Sequence, residues 1–519
     1  MKRQKGRVLA ASVLAAGMAM ATTVTINPPA GTVTNVFAFV SGDDTLAVNT
    51  GATGGTVHPS PYSTHTGGTT LGSGTLVVAQ PARPEAGLGE LGAGPFTQTG
   101  GTLRYAGPAG GVWTGAITND PGGTASVVWQ IDNDLVMAGA VGQPSGAFIK
   151  TGKGTLTFTE PFVLGGGTDS TSANRKKLMN LSPDRAPTQG YGPVTVTDGA
   201  LVIDVASTNE NRLSGNSDIV TIGAWTTSDG LETAGVLIQS NGVSRTYGPI
   251  TIGNLNGNTQ TAPTPLTSAV LIRGGTFYVG NNATKGGSQL YMGGGSGMSG
   301  YRSAPLLELS GAGTRINCGT LHMGYNAGGS STVRILDGAY LYLEDYNAWS
   351  GYNSGSAATT NFLEISGTGS QTLFRNFSND HKDKATIRVA DGGMIYMRNF
   401  VNNSGELHVI FDGGIWKHRN NDSSDPHFPA TMTSVKVGPG GLITDSNGGT
   451  EAYPVVWEKG IEPLDDSGTD GGLHITQSSA AVAHQRDQHL LRPDGDIGYP
   501  RISRQERMPP VRHRSFHLH

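Results

Sequence analysis

The chain has 519 residues, a net charge of −4, 79 glycines and only 14% charged side chains. Glycine is therefore about twice as frequent as its usual ~7% share and charge well below the usual ~25%; this removes any electrostatic case for nucleic acid or anionic lipid as partner. A hydrophobic content of 36% is low for three or four compact domains but sufficient for a narrow core between strands that grows along one axis.

The first 21 residues read as an export signal. Lys2, Arg3, Lys5 and Arg7 make a positive leader, Val8 to Ala21 is an apolar run too short to span a bilayer, and Ala19-Met20-Ala21 supplies the small-x-small cleavage site. The mature chain is expected to start near Thr22, to carry no transmembrane segment, and to reside at the cell surface, in the medium or in the periplasm. From 22 to 145 short β-rich runs such as Gly74-Thr75-Leu76-Val77-Val78 alternate with Gly/Pro punctuation, which predicts N-terminal coils or a cap. From 146 to 460 the repeat reading is stronger, with a long polar loop inserted at 165–190.

The clearest repeat is a triplet of aliphatic, variable, aliphatic residues that runs into a Gly-containing turn. Leu307-Glu308-Leu309 precedes Gly311-Ala312-Gly313, and Val333-Arg334-Ile335 precedes Asp337-Gly338-Ala339. Leu363-Glu364-Ile365 precedes Gly367-Thr368-Gly369, and Ile387-Arg388-Val389 precedes Asp391-Gly392-Gly393. A short period with about three brief strands per unit predicts an all-β fold, a right-handed parallel β-helix in which successive coils stack and pair along the axis. A propeller blade needs a longer period, and the leucine code of a leucine-rich repeat is missing. Strand alternation points the aliphatic pair inward and the middle residue outward. Glu308, Arg334, Glu364 and Arg388, followed by Val409 and Lys436 in weaker copies, are thus expected to form an outward ladder, with the charged neighbours contributing about 0.2–1 kcal/mol per contact.

The run Phe148-Ile149-Lys150-Thr151-Gly152-Lys153-Gly154-Thr155-Leu156-Thr157-Phe158, continued past the inserted loop by Tyr191-Gly192-Pro193-Val194-Thr195-Val196-Thr197-Asp198-Gly199-Ala200-Leu201-Val202-Ile203, resembles an autotransporter-associated β-strand repeat. Units such as Leu307 to Ile316 and Met323 to Leu341 are similar to the degenerate repeats of the same exported proteins, so the likeness covers patches of residues 145–445. The resemblance implies a passenger-type β-helix displayed outside the cell, and carries no catalytic residue with it. Passengers of this kind commonly end in a membrane β-barrel, a segment that the sequence up to His519 does not display. The stretch 473–519, rich in Arg, His, Gln and Pro, reads as a disordered or aberrant tail, with a metal-binding His tract as the lesser reading.

Two clusters carry acids and bases suited to chemistry: Asp380-His381-Lys382-Asp383-Lys384, and Asp412 to His427 with His418, Arg419, Asp422, Asp425 and His427. Both sit in turn-rich sequence without calcium-loop or zinc spacing, and read as solvated loops. No catalytic residue, metal or cofactor is expected, and Cys318, the one cysteine, reads as a small buried hydrophobe. Tyr340, Tyr342, Trp349, Tyr352 and Trp416 are a candidate glycan-stacking face, against which stands a role in the core or in coil-on-coil stacking. The expected function is an exported structural or adhesive surface module whose partners are glycans or molecules of a host or neighbouring cell. The alternatives are a carbohydrate-active β-helix, a lyase or glycosidase, and a truncated piece of a larger passenger.

Overall fold

The computed structural model of the protein describes residues 21–36, 40–51, 53–80, 89–119, 127–142, 148–164, 194–196, 198–206, 210–214, 220–224, 235–254, 267–280, 288–293, 304–325, 330–343, 347–351, 359–380, 383–419, 427–445, 456–464, 471–476 and 484–485. The leader up to residue 20, the inserted loop 165–190 and most of the expected tail lie outside these residues. Among the described residues every strand pair is parallel, and from Gly111 onward three faces follow one another along the chain. Face I is a 13-stranded sheet from Gly111–Trp113 to Ile461–Pro463. Face II is a 10-stranded sheet from Glu210–Ser214 to Leu473–Thr476, and face III a 14-stranded sheet from Val33–Asn35 to Asn399–Asn402. A 5-stranded sheet, Thr23–Ile26 to Ile117–Asn119, is the earlier stretch of face II. Single bridges carry it onward through Val141 and Phe162, whose N–H donates to Asn211 at the start of the 10-stranded part. The fold is a parallel β-helix.

The aliphatic pairs close the interior. Leu307, Val333, Leu363 and Ile387 stand beside one another on neighbouring strands running the same way, and all four are fully buried, as are Leu309, Ile335, Ile365 and Val389. Parallel pairing satisfies backbone N–H and C=O groups from coil to coil, so a glycine-rich chain needs only this thin aliphatic column to be stable. The turns between faces I and II require left-handed backbone: Asp337 and Gly338 have φ of 55° and 87°, and Asp391 and Gly392 of 53° and 80°. Asp tolerates this region through its short polar side chain and Gly through its lack of Cβ, which is why Asp-Gly recurs at this corner.

The coils depart from the expected plan in three places. The first four turns, from Thr23–Ile26 to Thr102–Tyr105, use faces II and III alone, and after Gly414–His418 the third position of each coil is taken by a separate two-stranded sheet, Val456–Trp457 with His484–Gln485. Across the expected boundary at 145 the flanking strands Val127–Ile131 and Phe148–Thr151 pair in register. The solenoid also passes residue 460 and enters the segment read as tail: Leu473–Thr476 pairs with Leu442–Asp445, since Leu473 and Ile475 retain the strand alternation.

Candidate functional surface

The outward column of face I is a line of charges. Glu308, Arg334, Glu364 and Arg388 are direct neighbours on successive strands. Arg334 lies 4.0 Å from Glu308 and 3.5 Å from Glu364, and Arg388 lies 2.9 Å from Glu364 and 3.6 Å from Asp412. The next outward position belongs to Ile410, which pairs with Arg388 and then with Lys436. Val409, placed there by the triplet rule, is fully buried instead. In the strand Glu406–Asp412 three apolar residues follow one another, Val409, Ile410 and Phe411; Val409 and Phe411 are the buried inward pair, and the outward residue between them carries no polar mark.

The five aromatics proposed as a stacking face do not share one. Trp416 points into the core and is fully buried, packed against His418, His427 and Phe428. Alternation along Gly414–His418 dictates this, with Ile415 and Lys417 outward. Trp349 is on face III, its ring parallel to that of His322 at 6.5 Å, and His322 stacks in turn on Tyr291 at 5.1 Å. Rings stacked coil on coil along the axis turn their edges outward, which spends the flat faces a sugar would need. Burial keeps His322 neutral, its pKa lowered to about 4. Tyr352 lies outside the described residues. Tyr340 and Tyr342 do project together from face II.

Around those two tyrosines the outward side of face II has a character that sequence reading missed. Arg315 pairs in register with Tyr340, and Asn317 with Tyr342. The Arg315 guanidinium lies over both rings, 4.9 Å from the Tyr340 centroid and 4.5 Å from that of Tyr342, and Nε donates to Asn317 Oδ1. No carboxylate among the described residues pairs with it. Further along the same columns stand Leu373, Met394, Tyr396, Ile415 and Ile443, all half-buried. Lys417 sits 5.6 Å from the Tyr396 ring and 3.2 Å from Asp445. Arg375 follows the strand Gln371–Leu373 at the corner toward face III and is exposed. The signal for Arg315 was its offset from the turn: it follows Gly313 by two residues, as Tyr340 follows Gly338 and Gln371 follows Gly369.

The polar clusters resolve into structural wiring. Asp383 is fully buried and accepts from Thr359 N–H and Oγ1 at 2.6 and 2.8 Å, while Lys384 pairs with Glu406 at 3.3 Å. His381, Lys382, Asp422 and Asp425 lie outside the described residues. His418 and His427 are buried with ring centroids 4.3 Å apart. No group of three or more His, Cys, Asp or Glu side chains suited to a metal occurs among the described residues. The nearest approach to a nucleophilic constellation is Ser434 Oγ at 2.8 Å from His408 Nδ1, with Nε2 at 3.2 Å from Glu406. It lies on a flat strand face; Ser434 is buried, and flanking N–H groups serve the ladder, that of Thr433 going to Leu407 carbonyl. An oxyanion hole needs free donors aimed at one point, and ladder pairing spends them.

Lys150 is the other residue that sequence reading passed over. It is inward and fully buried, and Nζ donates to the carbonyls of Gly152, Gly154 and Asp198 at 2.6, 2.6 and 2.7 Å, tying two coils together at one corner. Burial lowers its pKa to about 8 despite the nearby Asp198 and Asp134. A Cβ on Gly199 would stand 2.5 Å from this nitrogen, so the lysine and the glycine of Asp198-Gly199 require each other. Cys318 is buried, and burial pushes its thiol up to about 12.

No protein-family model, no curated protein and no solved structure matches the chain.

Proposed function

We propose that the protein is an exported β-solenoid of the autotransporter-passenger kind, a structural or adhesive surface module that recognises its partners along an outward face and performs no catalysis. The observation that carries this reading is the disposition of charge. Catalysis on a β-helix draws acids and bases together into a groove, whereas Glu308, Arg334, Glu364, Arg388 and Asp412 are strung along the axis, each neutralised by its neighbour. The turn chemistry around Lys150 and Gly199 supports the passenger resemblance, because the fully buried lysine of the motif ties coil to coil.

Expression of the full chain in a Gram-negative host, followed by fractionation, surface protease digestion and a cell-adhesion assay, tests the reading. Leader cleavage near Thr22 and recovery of the folded chain outside the inner membrane, with adhesion above that of the empty host, are expected. Retention in the cytoplasm, or turnover of any polysaccharide in a broad activity screen, would overturn it.

A further inference from the structure

We infer that face II binds a linear polysaccharide bearing carboxylates, laid obliquely across successive coils, with Arg315 and Arg375 engaging the carboxylates. The inference rests on the surface-module reading and names its ligand class. Three observations lead to it.

The first is electrostatic. On face I each guanidinium has acidic neighbours, so that column offers an anion little. On face II Arg315 meets rings and an amide in place of an acid, and Arg375 is exposed with no carboxylate partner among the described residues. A guanidinium resting over two tyrosine rings is already ordered and partly desolvated, so a carboxylate gains a strong charge-assisted pairing without first fixing the side chain. With Nε given to Asn317, the remaining four donors sit on the two terminal nitrogens, the pair that grips a carboxylate bidentately.

The second is shape. Leu373, Met394, Tyr396 and Ile415 make a half-buried apolar strip on the coils beyond Tyr340 and Tyr342. Sugar rings present C–H faces suited to such a strip, while their hydroxyls stay in water. The third is period. Successive coils lie about 4.8 Å apart, close to the length of one sugar unit in an extended chain. Arg315 and Arg375 are two coils apart along the axis, and Arg375 is also displaced toward the face III corner, four residues past Gln371 in the Arg315 column, so one polymer crossing the face obliquely, with acids several units apart, reaches both. A free uronic acid monomer reaches only one, and binds far more weakly.

The test uses the purified exported chain against immobilised polygalacturonate, the same polymer with its carboxyls reduced to alcohols, and neutral dextran. The wild type is expected to prefer the carboxylated polymer and to lose it as salt rises. Arg315→Gln and Arg375→Gln are each expected to weaken binding about tenfold or more, and Arg388→Gln on face I to leave it unchanged. Circular dichroism verifies folding; because Arg375 is exposed, its variant carries the test if Arg315→Gln misfolds. Equal binding to carboxylated and reduced polymer, or full binding by the Arg375→Gln variant and by folded Arg315→Gln, overturns the inference. Adhesion to cells that persists without any uronate preference removes this ligand and leaves the surface-module reading standing, whereas release of shortened oligosaccharides removes that reading itself.

Discussion

Faces I and II rest on the same interior and present opposite exteriors. Inward, Leu307, Val333 and Leu363 on face I oppose Ile316, Leu341 and Thr372 on face II, all buried. Outward, face I alternates Glu and Arg in register, while face II sets Arg315 on Tyr340 and Tyr342 and follows them with aliphatics. The contrast separates two jobs that a compact enzyme merges. The inward positions hold the coil, and parallel pairing fixes the backbone whatever the outward residue is. Outward residues are thus at liberty to neutralise one another on one side and to expose cation and ring on another. A ladder in which each charge is spent internally is a stabilising and solubilising surface; a ladder with an uncompensated guanidinium is a receptive one.

The sharpest way to break the comparison is to cut the interior that both faces share. Trp416→Ala is expected to cost about 3–5 kcal/mol and Leu363→Ala about 2–5 kcal/mol, read as a lower urea midpoint, with glycan binding by the surviving folded fraction unchanged. A Trp416→Ala variant of wild-type stability but altered binding would put that ring back on the exterior. Acid offers a second handle, on face III. His322 has a pKa of about 4 in the folded chain against an ordinary 6.5, so between these values the unfolded chain binds a proton that the folded chain declines. Stability from this site is full above pH 6.5 and falls as pH drops toward 4. At about 1.4 kcal/mol for each unit separating the two constants, the loss amounts to roughly 3 kcal/mol. Replacing His322 by Asn is expected to abolish that part of the acid sensitivity in denaturation midpoints measured between pH 7 and 4.

A corner in place of a face is the third target. Lys150→Met leaves the buried Gly154 carbonyl and the half-buried Gly152 and Asp198 carbonyls without this donor and is expected to destabilise by about 1–3 kcal/mol, and Gly199→Ala to do the same by displacing the ammonium. The pH signature distinguishes this from simple packing loss. Because the folded lysine has a pKa near 8 and the ordinary value is 10.5, the unfolded chain holds the extra proton between them. Wild-type stability relative to Lys150→Met therefore rises with pH across that range. A gap that stays flat from pH 8 to 10.5 would mean the amine keeps its proton inside the fold.

These residues also mark what could be read from the chain. The parallel solenoid was legible because Leu-Glu-Leu and its relatives state strand alternation, inside and outside, in three letters, and Asp-Gly states the turn. Aromatic residues resisted reading because a tyrosine or tryptophan suits either side of a strand. Only the count from the turn glycine shows that Tyr340 is outward, and only the parity of Gly414–His418 shows that Trp416 is inward. Lys150 was illegible for a different reason. A lysine is assigned to solvent by habit, although its place two residues after the inward Phe148 already put it inside, and what makes burial tolerable, three carbonyls from two coils, is a tertiary arrangement. Residue 409 failed through register, since three apolar residues in a row, Val409 to Phe411, hide which one is the middle of the triplet. Arg315 combines both difficulties, its partners lying on the next coil.

The smallest effect sharpens the comparison most, because it separates the two outward faces by sign. Glu364 touches both Arg334 and Arg388, yet these side chains are part-exposed and each contact contributes only about 0.2–1 kcal/mol. Glu364→Gln is therefore expected to lower stability by less than about 1 kcal/mol, and the loss should shrink as salt rises, because the interaction is screened. The same substitution leaves Arg334 with Glu308 alone, at 4.0 Å, and gives face I a partly uncompensated guanidinium of its own. If lack of internal neutralisation is what makes an arginine on this solenoid receptive, Glu364→Gln should give face I a weak, salt-sensitive affinity for polygalacturonate, abolished by Arg334→Gln. If affinity does not appear, the tyrosines beneath Arg315, and not the missing acid alone, make face II different.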